Sequence, residues 1–329
     1  MRDKIKKSKW EVVSGKWLKF GEPSLLVANC LLLTAYCLLL TTNCLYASGT
    51  GTTAGVIMLD TVGSRNFALG GAFTSVSGDA YSMFANPAGL ADISKKQLSS
   101  YFVQGQNDDY RAALVYDQWL LTDMKSGLGL GIYNLNGGKM DINFADGTSQ
   151  NVISQSDYLV TLSWGGYTAR NFMLGYTVKY LSTELVEKYK ATALAFDTGF
   201  IAKLGDVFSW GAAMQNYGTK ISYNGAKEPL PFLLRSGLSA NLHSGRYQSF
   251  LIAADGIYLI NERETILSGG LEYSIAKSLF LRGGYKVNGD VSSITGGVGI
   301  NIADSVGLDW TAEMNDLATT NNVSLTIKF

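Results

Sequence analysis

The sequence predicts an all-β fold: a 14-stranded antiparallel transmembrane β-barrel with a small N-terminal plug containing short helices. Three observations predict it. From Gln97 to the end, apolar residues alternate with polar or small ones at period two. The alternating segments number fourteen, an even count. The connections between them are long and short in turn, as in barrels with short inner turns and longer outer loops.

The first element is a targeting segment, 1–47. Residues 1–24 hold seven Lys or Arg against three acids, and residues 25–47 hold no charge. A basic stretch, an apolar stretch and then Tyr46-Ala47-Ser48 read as a secretory signal cleaved after Ala47. Cys30, Cys37 and Cys44 all lie inside it, so the exported chain has no thiol or disulfide chemistry. A lipid anchor at Cys44 is disfavoured because Asn43 stands where a small residue is expected.

The second element, 48–95, is the expected plug. Gly, Ala and Ser dominate it and strict alternation is absent. Asp79 is placed to cap a short helix through Ala80-Tyr81-Ser82-Met83-Phe84, which Pro87 ends near Asn86. A second turn is expected at Ala88-Gly89-Leu90.

The third element, 96–329, is the barrel. Its strands are expected at 97–104, 110–117, 126–135, 156–167, 170–182, 191–204, 207–216, 232–242, 247–258, 265–276, 278–287, 293–302, 305–314 and 321–329. Most are close to the ~9–11 residues that cross a bilayer at a tilt. Tyr158, Val160, Leu162 and Trp164 form one apolar face, opposed by Leu159, Thr161, Ser163 and Gly165. The longest connections, 136–155 and 217–231, are third and seventh, so both fall outside if the first strand runs outward. Trp119, Tyr158, Trp164, Tyr167, Tyr180 and Trp310 are read as interfacial aromatics on the outer surface.

Composition excludes other classes. With 27 basic and 27 acidic side chains the chain is neutral, which disfavours a nucleic-acid partner. Removing the signal leaves twenty basic and twenty-four acidic residues, a net charge of −4. Charged residues make up 16%, against roughly 25% in ordinary soluble domains. A single histidine, His243, leaves no room for a His-rich metal site, and its place in the tight turn to Arg246 disfavours a hydrolytic triad; no metal and no cofactor are expected. Gly127-Leu128-Gly129-Leu130-Gly131 lacks the helix and acidic residue of a dinucleotide loop. Its alternate glycines instead leave room in the lumen for a plug, as do Gly269-Gly270, Gly283-Gly284 and Gly296-Gly297-Val298-Gly299.

Ten charges are expected to face inward: Lys179, Asp197, Lys203, Arg235, Asp255, Glu272, Arg282, Lys286, Asp309 and Glu313. The two signs balance. They read as ion pairs between wall and plug rather than as a charge-selective pore.

Residues 63–90, GSRNFALGGAFTSVSGDAYSMFANPAGL, resemble the N-terminal signature of the PorV/PorQ family of outer-membrane proteins. The likeness lies in Ala68-Leu69-Gly70-Gly71-Ala72-Phe73, Gly78-Asp79-Ala80 and Asn86-Pro87-Ala88-Gly89-Leu90. That family is in turn similar to the FadL-type fatty-acid transporters, and the resemblance implies a fourteen-stranded barrel with an N-terminal plug. It implies two roles. One is binding and uptake of hydrophobic small molecules; the other is a PorV-like accessory of type IX secretion that holds secreted cargo proteins at the surface. Phe73, Phe84, Asn86, Pro87, Gly89 and Leu90 are the candidate ligand or plug residues. For Asn86, Pro87 and Gly89 turn chemistry is the stronger reading. Further expected partners are outer-membrane lipid and lipopolysaccharide, and the outer-membrane assembly machinery, reached through the last strand ending in Phe329.

Overall fold

A computed structural model describes residues 53–329, except 106–107, 121–124, 224, 245–246, 290 and 316–318. The expected signal, with its three cysteines, lies outside the described residues. So do Trp119's neighbours 121–124 in the second connection.

Eighteen strands follow one another. They are β1 (Gln97–Gln104), β2 (Tyr110–Leu120), β3 (Ser126–Asn136), β4 (Lys139–Asn143), β5 (Ser149–Ile153), β6 (Gln155–Ala169), β7 (Phe172–Leu185), β8 (Tyr189–Leu204) and β9 (Phe208–Gly218). Then come β10 (Ile221–Tyr223), β11 (Ala226–Glu228), β12 (Leu233–Ser244), β13 (Gln248–Leu259), β14 (Glu264–Ile275), β15 (Leu279–Asn288), β16 (Val291–Ile302), β17 (Val306–Asn315) and β18 (Thr319–Lys328). Fourteen of them close into one antiparallel barrel. The closing seam pairs β1 with β18 from Gln97 opposite Lys328 to Gln104 opposite Asn321. Closure satisfies every strand edge, which a sheet in lipid requires.

The other four strands are a finding that alternation alone did not supply. The two long connections are not plain loops: β4–β5 and β10–β11 are separate two-stranded hairpins. Both stand at the end of the barrel that carries the long connections. His243 lies within β12 opposite Ser249, rather than in a turn.

Alternation decides which face meets what. Leu162, Val178, Leu194, Leu271 and Ile294 are each more than half exposed on the outer surface. Trp164, Tyr176 and Phe196 stack across β6, β7 and β8 with ring centroids about 6 Å apart. An apolar belt of this extent does not face water in a monomeric soluble protein; it is a wall built for lipid. The opposite face is filled. Leu159, Thr161, Met173, Thr177 and Ile201 are almost completely buried.

The filling is the segment from Thr53 to Lys96. It enters at the long-connection end, where the Ala54 N–H donates to Pro229 O at 3.1 Å and the Thr53 hydroxyl to Glu262. A 3-10 turn, Val56–Leu59, follows, and Ile57 packs with Leu181, Ile221 and Leu230. The helix Ser64–Ala68 lies along β15–β18. The chain then crosses to β13, where Leu69, Phe73 and Val76 meet Leu251 and Ala253. A helix, Ser82–Ala85, and a 3-10 turn, Pro87–Asp92, bring Ala88 and Ala91 onto Met173 and Ile201 of β7 and β8. The segment leaves at the short-turn end, where Lys95 pairs with Asp304 at 2.9 Å.

Asp79 does cap the local turn, but through Tyr81, whose N–H donates to Asp79 Oδ1 at 2.9 Å. The helix therefore starts at Ser82, later than the sequence suggests.

Candidate functional site

Inward-facing glycines let the filling segment touch the wall backbone to backbone. A Cβ on Gly175 would fall on the Ala88 amide and the Pro87 carbonyl carbon, and one on Gly127 or Gly165 on the carbonyl oxygen of Leu90 or Pro87. Gly270 and Gly284 give the same space to Leu69 and Gly70. Within these runs only the inward glycines serve: Gly269, Gly283 and Gly296 point outward, and a Cβ there would meet nothing closer than 3.9 Å.

The six candidate residues of the sequence reading lie within this packing. Asn86 has no exposed surface. Its Nδ2 donates to Thr74 O at 2.8 Å and to Phe200 O on β8 at 2.9 Å, while its Oδ1 accepts from the Ala88 N–H at 3.1 Å. It thus ties two parts of the segment to the wall. Pro87 opens the 3-10 turn. Gly89 is buried so tightly that a Cβ would stand 2.7 Å from Ser82 Cβ. Leu90 is fully buried beside Gly129. Phe73 is buried against Leu251, with the Arg65 guanidinium 5.7 Å from its ring. Phe84 sits edge-on to Tyr133 at 6.2 Å, and its carbonyl accepts from Gln215 Nε2. None of the six lines the cavity bounded by Asp60, Arg111, Lys286 and Glu313.

The inward charges divide into three sets. Several hold the segment in place. Arg65 pairs with Glu272 at 2.8 Å and with Asp79 at 3.4 Å. Lys203 pairs with Asp92 at 2.7 Å. Asp255 Oδ2 accepts from the amides of Phe73 and Thr74 at 2.9 and 2.8 Å, and Arg235 donates to Gly71 O and to Thr74 Oγ1. A second set pairs within the wall: Lys179 with Asp197 at 2.7 Å, both buried, and Arg282 with Glu272 and Asp309. Lys286 and Glu313 form the third set and have no ion-pair or hydrogen-bond partner among the described residues.

Tyr167 corrects the aromatic reading. It follows Thr161, Ser163 and Gly165 on the inward face, and its hydroxyl donates to Asp92 at 2.8 Å while accepting from Lys203 at 2.6 Å. Burial pushes the Asp92 carboxyl up, but hydrogen bonds from Lys203, Ser77 and Tyr167 outweigh it and hold the group below the usual carboxylate range.

The cavity lies at the long-connection end and measures about 200 Å³. Leu59, Asp60, Thr61 and Phe67 form its inner side. Tyr101, Val103, Arg111 and Tyr133 of β1–β3 form one wall, and Lys286, Glu313 and Thr320 of β15, β17 and β18 the other. Arg111 pairs with Asp60 at 3.1 Å, and the Tyr133 hydroxyl donates to Asp60 at 2.7 Å. Lys286 and Glu313 were legible as inward charges. Asp60, Arg111, Tyr101 and Tyr133 were not singled out, although Tyr101 and Tyr133 share the inward parity of their strands.

Among the described residues no group of three or more His, Cys, Asp or Glu could hold a metal ion. No protein-family model matches the chain, and neither does any curated protein. Solved structures do. The toluene transporter TbuX of Ralstonia pickettii superposes with a TM-score of 0.62 at 14% identity, covering 83% of this chain and 100% of its own. The toluene transporter TodX of Pseudomonas putida gives 0.58 at 14%, covering 82% and 97%. A FadL homologue of Pseudomonas aeruginosa gives 0.54 at 12%, covering 85% and 99%. At such identities the likeness is one of fold: a closed fourteen-stranded antiparallel barrel with short N-terminal helices.

Proposed function

We propose that this chain is a bacterial outer-membrane channel, exported by a cleaved signal, that binds small hydrophobic molecules and carries them inward. Residues 48–95 act as its plug, and Phe73, Phe84, Asn86, Pro87, Gly89 and Leu90 act in holding that plug rather than in touching the ligand. The observation that carries the reading is the cavity between the plug turn Leu59–Thr61 and the wall, placed at the mouth that the long connections surround. The fold it shares with channels for toluene and with a FadL homologue supports the same class. The lipid-facing belt supports contact with outer-membrane lipid and lipopolysaccharide. A reading as an enzyme gains nothing from Lys179, Asp197, Arg235, Asp255, Glu272 and Arg282 in the lumen, which are engaged in ion pairs. The exposed polar hairpin β4–β5 favours a second reading: a PorV-like anchor that binds secreted cargo proteins in type IX secretion.

Native mass spectrometry of the gently extracted barrel separates the two. A stoichiometric hydrophobic small molecule that survives delipidation is the expected result. An empty lumen with proteins bound outside overturns the channel in favour of the anchor.

A further inference from the structure

The lining of the outer cavity is not that of a hydrocarbon site. Asp60 and Arg111 form an ion pair at 3.1 Å. Lys286 and Glu313 face the same space with opposite charges and without a side-chain hydrogen bond or close ion pair among the described residues, although Lys286 also feels the Asp60 carboxylate. They stand on β15 and β17 with β16 between them. Two strand spacings of ~4.8 Å and a register offset of two residues put their backbones about 12 Å apart, so a small molecule fits between their heads. A second pocket of about 10 Å³, room for roughly one water, is lined by the same Lys286 and Glu313.

We propose that this cavity binds a small zwitterion: a single-ring molecule carrying an ammonium group toward Glu313 and a carboxylate toward Lys286. The inference rests on the channel reading and replaces its wholly apolar ligand with an amphipathic one, a single apolar ring carrying two opposite charges. The size fits. A cavity of ~150 Å³ accommodates benzene, and this one, at about 200 Å³, adds room for a short charged side chain. Phe67, Leu59 and Val103 supply apolar surface for the ring. A bare hydrocarbon would displace water from both charges and return nothing to them, which discriminates strongly against it.

The test is binding of four probes to the full exported barrel in detergent, by calorimetry: L-phenylalanine, phenethylamine, phenylacetate and toluene. L-phenylalanine should bind at least tenfold more tightly than each of the others. Lys286→Met should erase its advantage over phenethylamine, and Glu313→Gln its advantage over phenylacetate. The double exchange Lys286→Glu with Glu313→Lys should restore L-phenylalanine, since a zwitterion can reverse; that rescue also shows that the variants fold. Toluene binding as tightly as L-phenylalanine overturns the inference and leaves the channel reading intact. Single variants that weaken all four probes equally overturn it too. Binding of none of the four overturns the inference, and the channel reading then stands or falls on the mass spectrometry alone.

Discussion

Asp255→Ala should release the plug locally while leaving the barrel closed. Asp255 is buried on β13, and its Oδ2 accepts from four donors: the Phe73 and Thr74 amides, the Thr74 hydroxyl at 2.5 Å, and Arg235 Nη2 at 3.2 Å. Removing the carboxylate strands two amides and leaves Arg235, whose side chain is 9% exposed, without its counter-ion. Breaking a buried pair from one side costs about 3–5 kcal/mol. At about 1.4 kcal/mol per tenfold, local opening should become roughly 10² to 10³ times more frequent, or slightly more. Amide hydrogen exchange reads this directly. The Phe73 and Thr74 amides should lose protection by about that factor, while β13 and its neighbours keep theirs. Asp255→Asn, which retains an acceptor but no charge, should fall between. A loss below tenfold in the Ala variant would refute the anchoring role. So would an equal loss throughout the strands, because the effect would then be global rather than local.

Two further outcomes follow from the same packing. Gly175→Val should displace the plug, because backbone lies where the side chain would go and overpacking costs at least ~1–3 kcal/mol; bilayer conductance should rise, whereas Gly296→Val, on the outward face with nothing within 4 Å, should match the parent, and equal behaviour of the two would count against the plug contact. Asp92, held below the usual carboxylate range, takes up its proton less readily folded than unfolded, so its stabilisation is present above the ordinary pKa of ~3.9 and is lost as pH falls from there through the lower folded value. Exchange across 77–93 should accelerate over that acid range in the parent, and Asp92→Asn should flatten the dependence; an unchanged acid response in the variant would assign it to another group.

Much of the barrel was legible because lipid outside and packing inside write a period of two onto every strand. That local rule located fourteen strands to within a few residues and separated Leu162 from Thr161 without any knowledge of the partner strand. Parity also assigned Lys286 and Glu313 to the lumen. It contained the answer for Tyr167 as well, which the expectation of an aromatic girdle overrode. What the rule cannot hold is register between the plug and the wall. Arg65 meets Glu272 across 207 residues, and Asn86 meets Phe200 across 114. Nothing in either local sequence names the other. The hairpins in the long connections were hidden because segments as short as Ile221–Tyr223 are too brief to show a period. Sequence alone thus determined the wall, whose pattern follows from the solvent on each side. Only the tertiary structure decided which charges the plug consumes and which two it leaves facing the cavity, because that choice depends on contacts made across the lumen.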